Sequence, residues 1–260
     1  MLPANLVASG YLPQSAIDEI GFPGLIQQGV TGSAAKRVQE WLSLNGHGVD
    51  IDADFGPATA HAVAAFQTAA GLTVSGTVDN QTWDALVTPM VAALQPIQPG
   101  TGGLAPLIAA YAAQHVAQHP LEVGGDNRGP WVRLYLGWDG EAAKWCAGFA
   151  CFSLAQAAFT LGQAQPIQSS AACTTLAERA QSANLLKSAP AGGPPAGLAP
   201  GDFFLVRKVP GVWEHVGVVK AVGQTQFDTL EGNTDTNGSS NGYEAVARTR
   251  AYPGKDFICW

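Results

Sequence analysis

Charge is scarce in this chain. Only 13 Lys and Arg and 20 Asp and Glu are spread over 260 residues, for a net charge of −7. Phosphate backbones demand clustered Lys and Arg, so nucleic acid is not an expected partner, and nothing draws the chain electrostatically to an anionic membrane. Long apolar runs are missing too. None approaches the ~20 residues that cross a bilayer, and membrane insertion is not expected. The four cysteines, Cys146, Cys151, Cys173 and Cys259, form no CxxC pair and have no His at zinc-ligand spacing, which argues against a zinc site. The start, Met1-Leu2-Pro3-Ala4-Asn5-Leu6, has neither a basic residue nor a sustained apolar stretch, so no Sec-type signal is expected there.

Composition divides what remains into two domains. The uncharged Pro/Gly-rich stretch 95–103, Gln95-Pro96-Ile97-Gln98-Pro99-Gly100-Thr101-Gly102-Gly103, reads as a linker. A similar stretch, 189–197, precedes a strand-like run and reads as a surface loop. Before the linker helix signals dominate. Ser33 is placed to cap a helix carrying Val38, Trp41, Leu42 and Leu44 at helical spacing. Thr59 to Ala70 makes a second helix through Ala62, Val63 and Phe66, and Asn80 or Thr82 starts a third with Trp83, Leu86 and Val87. Two similar turns, Asp54-Phe55-Gly56-Pro57-Ala58-Thr59 and Ser75-Gly76-Thr77-Val78-Asp79-Asn80-Gln81-Thr82, lie between them. Asp50-Ile51-Asp52-Ala53-Asp54 starts like a calcium loop, but Phe55 stands where glycine is needed and His61 where the bidentate Glu belongs. His47 and His61 lack a third ligand, so no metal is expected.

In this order, Val38-Gln39, the turn at Asp54 to Thr59, Ala62-Val63-Ala64-Ala65-Phe66-Gln67, Gly71-Leu72, Gly76-Thr77-Val78 and Thr82-Trp83 resemble the three-helix peptidoglycan-binding domain found beside many cell-wall hydrolases. The resemblance covers about residues 22–94, after an N-terminal segment 1–21. It implies anchoring to bacterial peptidoglycan rather than catalysis.

After the linker, Pro106 to Gln118 reads as a helix, followed by the turn-rich loop Gly124 to Pro130. Trp145-Cys146-Ala147-Gly148-Phe149 then opens an apolar helix that runs to Gly162. A thiol at a helix N-terminus sits in the positive end of the dipole, which favours the nucleophilic thiolate. Downstream the period changes to two. Asp202 to Val206, Glu214 to Val219, Gln226 to Glu231 and Ala245 to Arg248 read as strands, making the second domain α+β with an antiparallel sheet. His215 opens one strand, and Glu231 and Asn233 end the next. If these strands pair, a carboxylate or amide reaches the imidazole nitrogen that faces away from sulfur.

Trp145 to Phe149, Pro200-Gly201-Asp202, His215-Val216-Gly217-Val218-Val219 and Glu231-Gly232-Asn233 resemble the CHAP family, the cysteine- and histidine-dependent amidohydrolases/peptidases, over roughly 104–260. The resemblance implies a papain-like fold, Cys146 as nucleophile, His215 as base and then acid, and no cofactor. It implies Glu231 or Asn233 as the residue that orients His215; related members carry glycine where Glu231 stands, which leaves the choice open and makes Asn233 the safer of the two. Calcium, which some members bind ahead of the cysteine, is not expected from 137–144. Asn127 and Trp145 are candidate substrate contacts. The expectation is an endolysin-like peptidoglycan amidase or endopeptidase, acting on the wall after release through a holin or injection by a secretion system, with an immunity protein as partner in the second case. The alternatives are a wall-binding protein whose papain-like half is inactive, or an amidase of small soluble amides.

Overall fold

Two buried glutamines organise the first half of the chain. The structure is a computed structural model that describes residues 6, 10–190 and 192–260. The stretch Met1 to Leu6, where no signal was expected, lies outside them apart from Leu6. The described residues form two units, one running through Leu94 and adding Leu121–Glu141, the other made of Gln95–Pro120 and Ala142–Trp260. The first unit holds α1 (Gln14–Ile20), α2 (Ser33–Leu44), α3 (Pro57–Ala69), α4 (Asn80–Leu86), α5 (Thr88–Ala93) and α7 (Pro130–Leu136). The second holds α6 (Leu104–Val116), α8 (Cys146–Thr160) and α9 (Cys173–Ser182). It also holds strands β1 (Leu186–Ser188), β2 (Phe203–Val209), β3 (Val212–Val222), β4 (Gln226–Thr234), β5 (Glu244–Ala251) and β6 (Lys255–Ile258).

The repeated turn of the first unit is a repeated clamp. From α2, Gln39 donates Nε2 to the Asp54 carbonyl (3.0 Å) and Thr59 Oγ1 (3.2 Å), and accepts the Ala53 N–H (2.9 Å). From α3, Gln67 does the same one turn later, donating to the Thr77 carbonyl (2.8 Å) and Thr82 Oγ1 (3.0 Å) and accepting Ser75 N–H (2.9 Å). Each buried amide thus satisfies turn backbone that would otherwise be stranded. The acidic turn is loop chemistry: Asp52 Oδ1 accepts from Gln39 Nε2 (2.7 Å) and Asp54 N–H (2.9 Å). Ser33 does not cap α2. Gly32 precedes the helix with φ of 86°, and its N–H is spent on the Ala53 carbonyl (2.8 Å), so Ser33 becomes the first helical residue. Helix α4 is capped by Asp79, which accepts the Thr82 N–H at 2.8 Å.

The segment 121–141, expected within an uninterrupted second domain, packs with the first unit instead. Trp131 on α7 meets Trp41 edge-on at 6.3 Å, and Arg133 joins Lys36 and Arg37 of α2, which lie 3.5 Å from Glu40 and 3.4 Å from Glu19, in compensating two buried carboxylates. The Arg133 guanidinium reaches Glu19 Oε1 (2.7 Å), Glu40 Oε2 (2.6 Å) and Asp139 Oδ2 (2.7 Å). Glu19 and Glu40 are only 1 % and 0 % exposed. Removing one partner of a buried pair leaves charge uncompensated and typically costs about 3–5 kcal/mol. Arg133→Ala should therefore lower stability by roughly that amount, read as a fall in the urea midpoint at unchanged slope. A change below about 1 kcal/mol would mean that water already screens the cluster.

In the second unit the strands form one antiparallel sheet in the order β1-β6-β2-β3-β4-β5. Helix α8 packs on α6 and on β3 and β4, while α9 packs on β3. The expected runs all lie in strands except Asp202, which sits one residue before β2. The short β1 and β6 and the helix α9 were not foreseen. Phe204, Val219, Phe227, Tyr252, Phe257 and Cys259 make a buried cluster on this sheet.

Candidate active site

Cys146 is the first residue of α8, and its neighbours come from the middle of the sheet. Trp145 precedes the helix, and its N–H donates to Asn233 Oδ1 on β4 at 3.2 Å. Gly232 makes this approach possible, since a Cβ there would lie 2.7 Å from both Phe149 Cβ and Trp145 Cζ3. The intrahelical N–H bonds of this end begin with Phe149 to the Trp145 carbonyl (2.9 Å). The preceding N–H groups therefore lie at the positive end of the helix without an i−4 acceptor within it.

His215 on β3 is fully buried, and its Nε2 lies 2.8 Å from Glu231 Oε2 on β4. Gly217 leaves room for that contact, because a Cβ there would fall 2.9 Å from Glu231 Cγ and 2.6 Å from Phe204 Cε1. Glu231 is held from its other sides. Thr229 Oγ1 donates to Oε1 (2.6 Å), and Arg250 on β5 donates Nε to Oε1 (2.6 Å) and Nη2 to Oε2 (2.5 Å). A bidentate guanidinium fixes the carboxylate plane as well as its charge. The remaining ring nitrogen of His215, Nδ1, is buried without a well-formed hydrogen bond. Cys146 is the ionisable group that interacts with the ring beside Glu231.

The side chain that meets His215 is Glu231, and Asn233 is turned to other partners. Residues two apart on a strand share a face, so both Glu231 and Asn233 were candidates. The β4–β5 register breaks between Glu231 and Thr234, and Asn233 takes φ of 54° in the break. This bulge re-aims its side chain, which accepts from Trp145 N–H and donates to the Gly242 carbonyl (2.8 Å). Asn233 thus ties the start of α8 to the sheet. Trp145 is 0 % exposed, so its ring is core and offers no surface to a substrate. Asn127 belongs to the first unit. It is buried at φ of 53°, and its Nδ2 holds the Glu141 carbonyl (3.0 Å), which makes it a turn residue and not a substrate contact. Arg250, Thr229 and Cys173 join the site without having been foreseen.

All four cysteines are free thiols, and their surroundings separate them. The Cys173 thiol, 3.7 Å away, is the main cause that brings Cys146 well below the ordinary thiol range. Burial opposes it, and His215 and the Val216 N–H add to it. Burial pushes Cys151 up to about 11 and Cys259 up to about 12. Burial alone would lower His215, but Cys146 and then Glu231 raise it to about 9. Burial would likewise raise Glu231, yet Arg250 and His215 bring it down to about 2. The arrangement favours a buried thiolate–imidazolium pair backed by a carboxylate. His115, in contrast, is a core residue against Gln156 Oε1 (2.9 Å), and burial lowers it to about 4. Among the described residues no three His, Cys, Asp or Glu are grouped to hold a metal ion.

Comparison with known proteins bears on the first unit. Residues 31–86 match the family model described as "Putative peptidoglycan binding domain". Among solved structures, the chain is similar to a peptidoglycan-binding protein from Clostridioides difficile crystallised with glutamine hydroxamate. The identity there is 40 %, over 24 % of this chain and 39 % of that one, with a TM-score of 0.24. It is also similar to the SleB N-terminal domain at 32 % identity, over 26 % of this chain and 93 % of that one, with a TM-score of 0.25. The chain thus spans well under half of the first of these proteins. No curated protein matches it.

Proposed function

We propose that this chain is a peptidoglycan hydrolase that binds the bacterial wall through residues 31–86 and cleaves an amide bond with Cys146 and His215. The observation that carries the reading is the line of groups from Cys146 through His215 to Glu231, with His215 Nε2 2.8 Å from the carboxylate. The Cys146 thiolate attacks the amide carbonyl, and the oxyanion forms at the first N–H groups of α8. His215, protonated and held by Glu231, gives its proton to the leaving amine, and a thioester on Cys146 remains. Water then attacks the thioester as His215 takes its proton, and the carboxylic acid departs as the thiolate is restored. The peptidoglycan-binding match supports peptidoglycan as the substrate class, because a tether raises the local concentration of an insoluble target and does nothing for a small soluble one. No helix among the described residues is long and apolar enough to cross a membrane.

The test is digestion of purified sacculi followed by mass spectrometry of the released fragments. New amino and carboxyl ends in equal number are expected, and new reducing sugar ends would overturn the reading. Rate should hold across neutral pH and fall as pH rises through about 9, where His215 loses its proton. Because its pKa is raised from 6.5, the stability it contributes is fully present below 6.5 and is lost through the same alkaline window. Glu231, lowered from 4.5, contributes stability that is present above 4.5 and is lost as pH falls to about 2.

A further inference from the structure

We infer that Cys173 is a positioning residue for the reaction, its thiol donating a hydrogen bond to the Cys146 sulfur and holding that sulfur as the thiolate opposite His215. The inference rests on the proposed role of Cys146. The two sulfurs lie 3.7 Å apart, within reach of an S–H···S contact, and both residues are buried, at 2 % and 7 % exposure. A thiolate in such a place has lost its water and needs donors from the protein. His215 lies beside it, and Cys173 supplies a proton from the second residue in contact.

Cys173 is held there by the strand that carries the histidine. It is the first residue of α9, and the next residue, Thr174, accepts the Trp213 N–H at its Oγ1 (3.1 Å) and donates to the Trp213 carbonyl (3.4 Å). Trp213 stands two residues before His215 on β3. One stretch of backbone therefore sets both groups that face Cys146. The ionisation of the pair agrees with this direction: the shared proton stays on Cys173, which is raised, while Cys146 is lowered. The chemistry follows from where charge sits during the cycle. A donor to sulfur enlarges the thiolate fraction before attack and eases departure of the same thiolate when water splits the thioester.

The experiment is the pH dependence of Cys146 alkylation by iodoacetamide, resolved by peptide mass spectrometry under reductant, in the full chain and in Cys173→Ala and Cys173→Ser. The midpoint should rise by about one pH unit in Cys173→Ala, a tenfold loss of thiolate at a given acid pH. It should rise less in Cys173→Ser, which keeps a donor. A midpoint unmoved in Cys173→Ala, with an unchanged melting temperature, would overturn the inference, since a merely packing role predicts that result. Should Cys173→Ala melt early, Cys173→Val fills the space without a donor and is read in the same way. The alkylation needs no wall substrate. If the unaltered chain cleaves no peptidoglycan, the proposed function fails while the midpoint still decides the place of Cys173.

Discussion

Cys146→Ala should abolish loss of turbidity in purified cell walls while the protein still sediments with them. Removing the nucleophile of a hydrolytic triad costs about 10⁶ in turnover where it has been measured, and the residual rate comes from binding and oxyanion stabilisation alone. Here that loss should fall below detection, and Cys146→Ser should behave alike, because an alcohol is a far weaker acid than a thiol and His215 is charged. Wall retention should persist, since residues 31–86 belong to the other unit and carry the peptidoglycan-binding match. Cys151→Ala is the control. That thiol is buried in α8, donates to the Ser170 carbonyl at 3.6 Å and is pushed up to about 11 by burial, so it is protonated when Cys146 is not. Full lysis by Cys146→Ala would sink the assignment. Loss of lysis in a folded Cys151→Ala would move the nucleophile to the wrong side of the helix.

How far these residues could be read in advance depended on what each signal encoded. The helices α2 to α4 and α8 carry apolar positions at helical spacing, and β2 to β5 are long enough to show alternation, so both halves were legible as helical and as helix plus antiparallel sheet. Strands β1 and β6 have three and four residues, too few for a period, and exist because they pair with each other and β6 with β2. The packing of 121–141 with the first unit turns on Arg133 meeting Glu19 and Glu40, residues 114 and 93 positions away. No local pattern announces such a pair. In the site, Cys146 and His215 stand out by their places on a helix start and a strand. Glu231 and Asn233 look equivalent in a line of residues, and only a left-handed backbone at Asn233 separates them. Arg250 was reachable in principle, as a basic residue on the strand following Glu231. Cys173 was not, because its closeness to Cys146 depends on how α9 packs against β3.

Glu231→Gln should cost far more activity than Asn233→Ala, and the two should differ in pH profile. Replacing the carboxylate behind a catalytic histidine with its amide costs about 10⁴ in turnover in serine proteases, through the wrong tautomer and a destabilised imidazolium. A loss of about 10²–10⁴ is expected here, the lower figure because a Cys–His pair is already ionised before attack. Without Glu231, burial acts on His215 with less opposition, so the alkaline limb should move down from about 9 towards neutral pH. Arg250 would lose its anion at the same time, and Glu231→Gln should also melt earlier than the unaltered protein. Asn233→Ala removes the acceptor of the Trp145 N–H and the donor to the Gly242 carbonyl. Its cost should be about 1–3 kcal/mol of stability from stranded backbone groups, with the alkaline limb still near 9. A melting curve and a pH–rate profile on each variant decide between them. An alkaline limb that moves in Asn233→Ala and stays in Glu231→Gln would give the orienting role to the asparagine, against the proposal that rests on the 2.8 Å contact of His215 with Glu231.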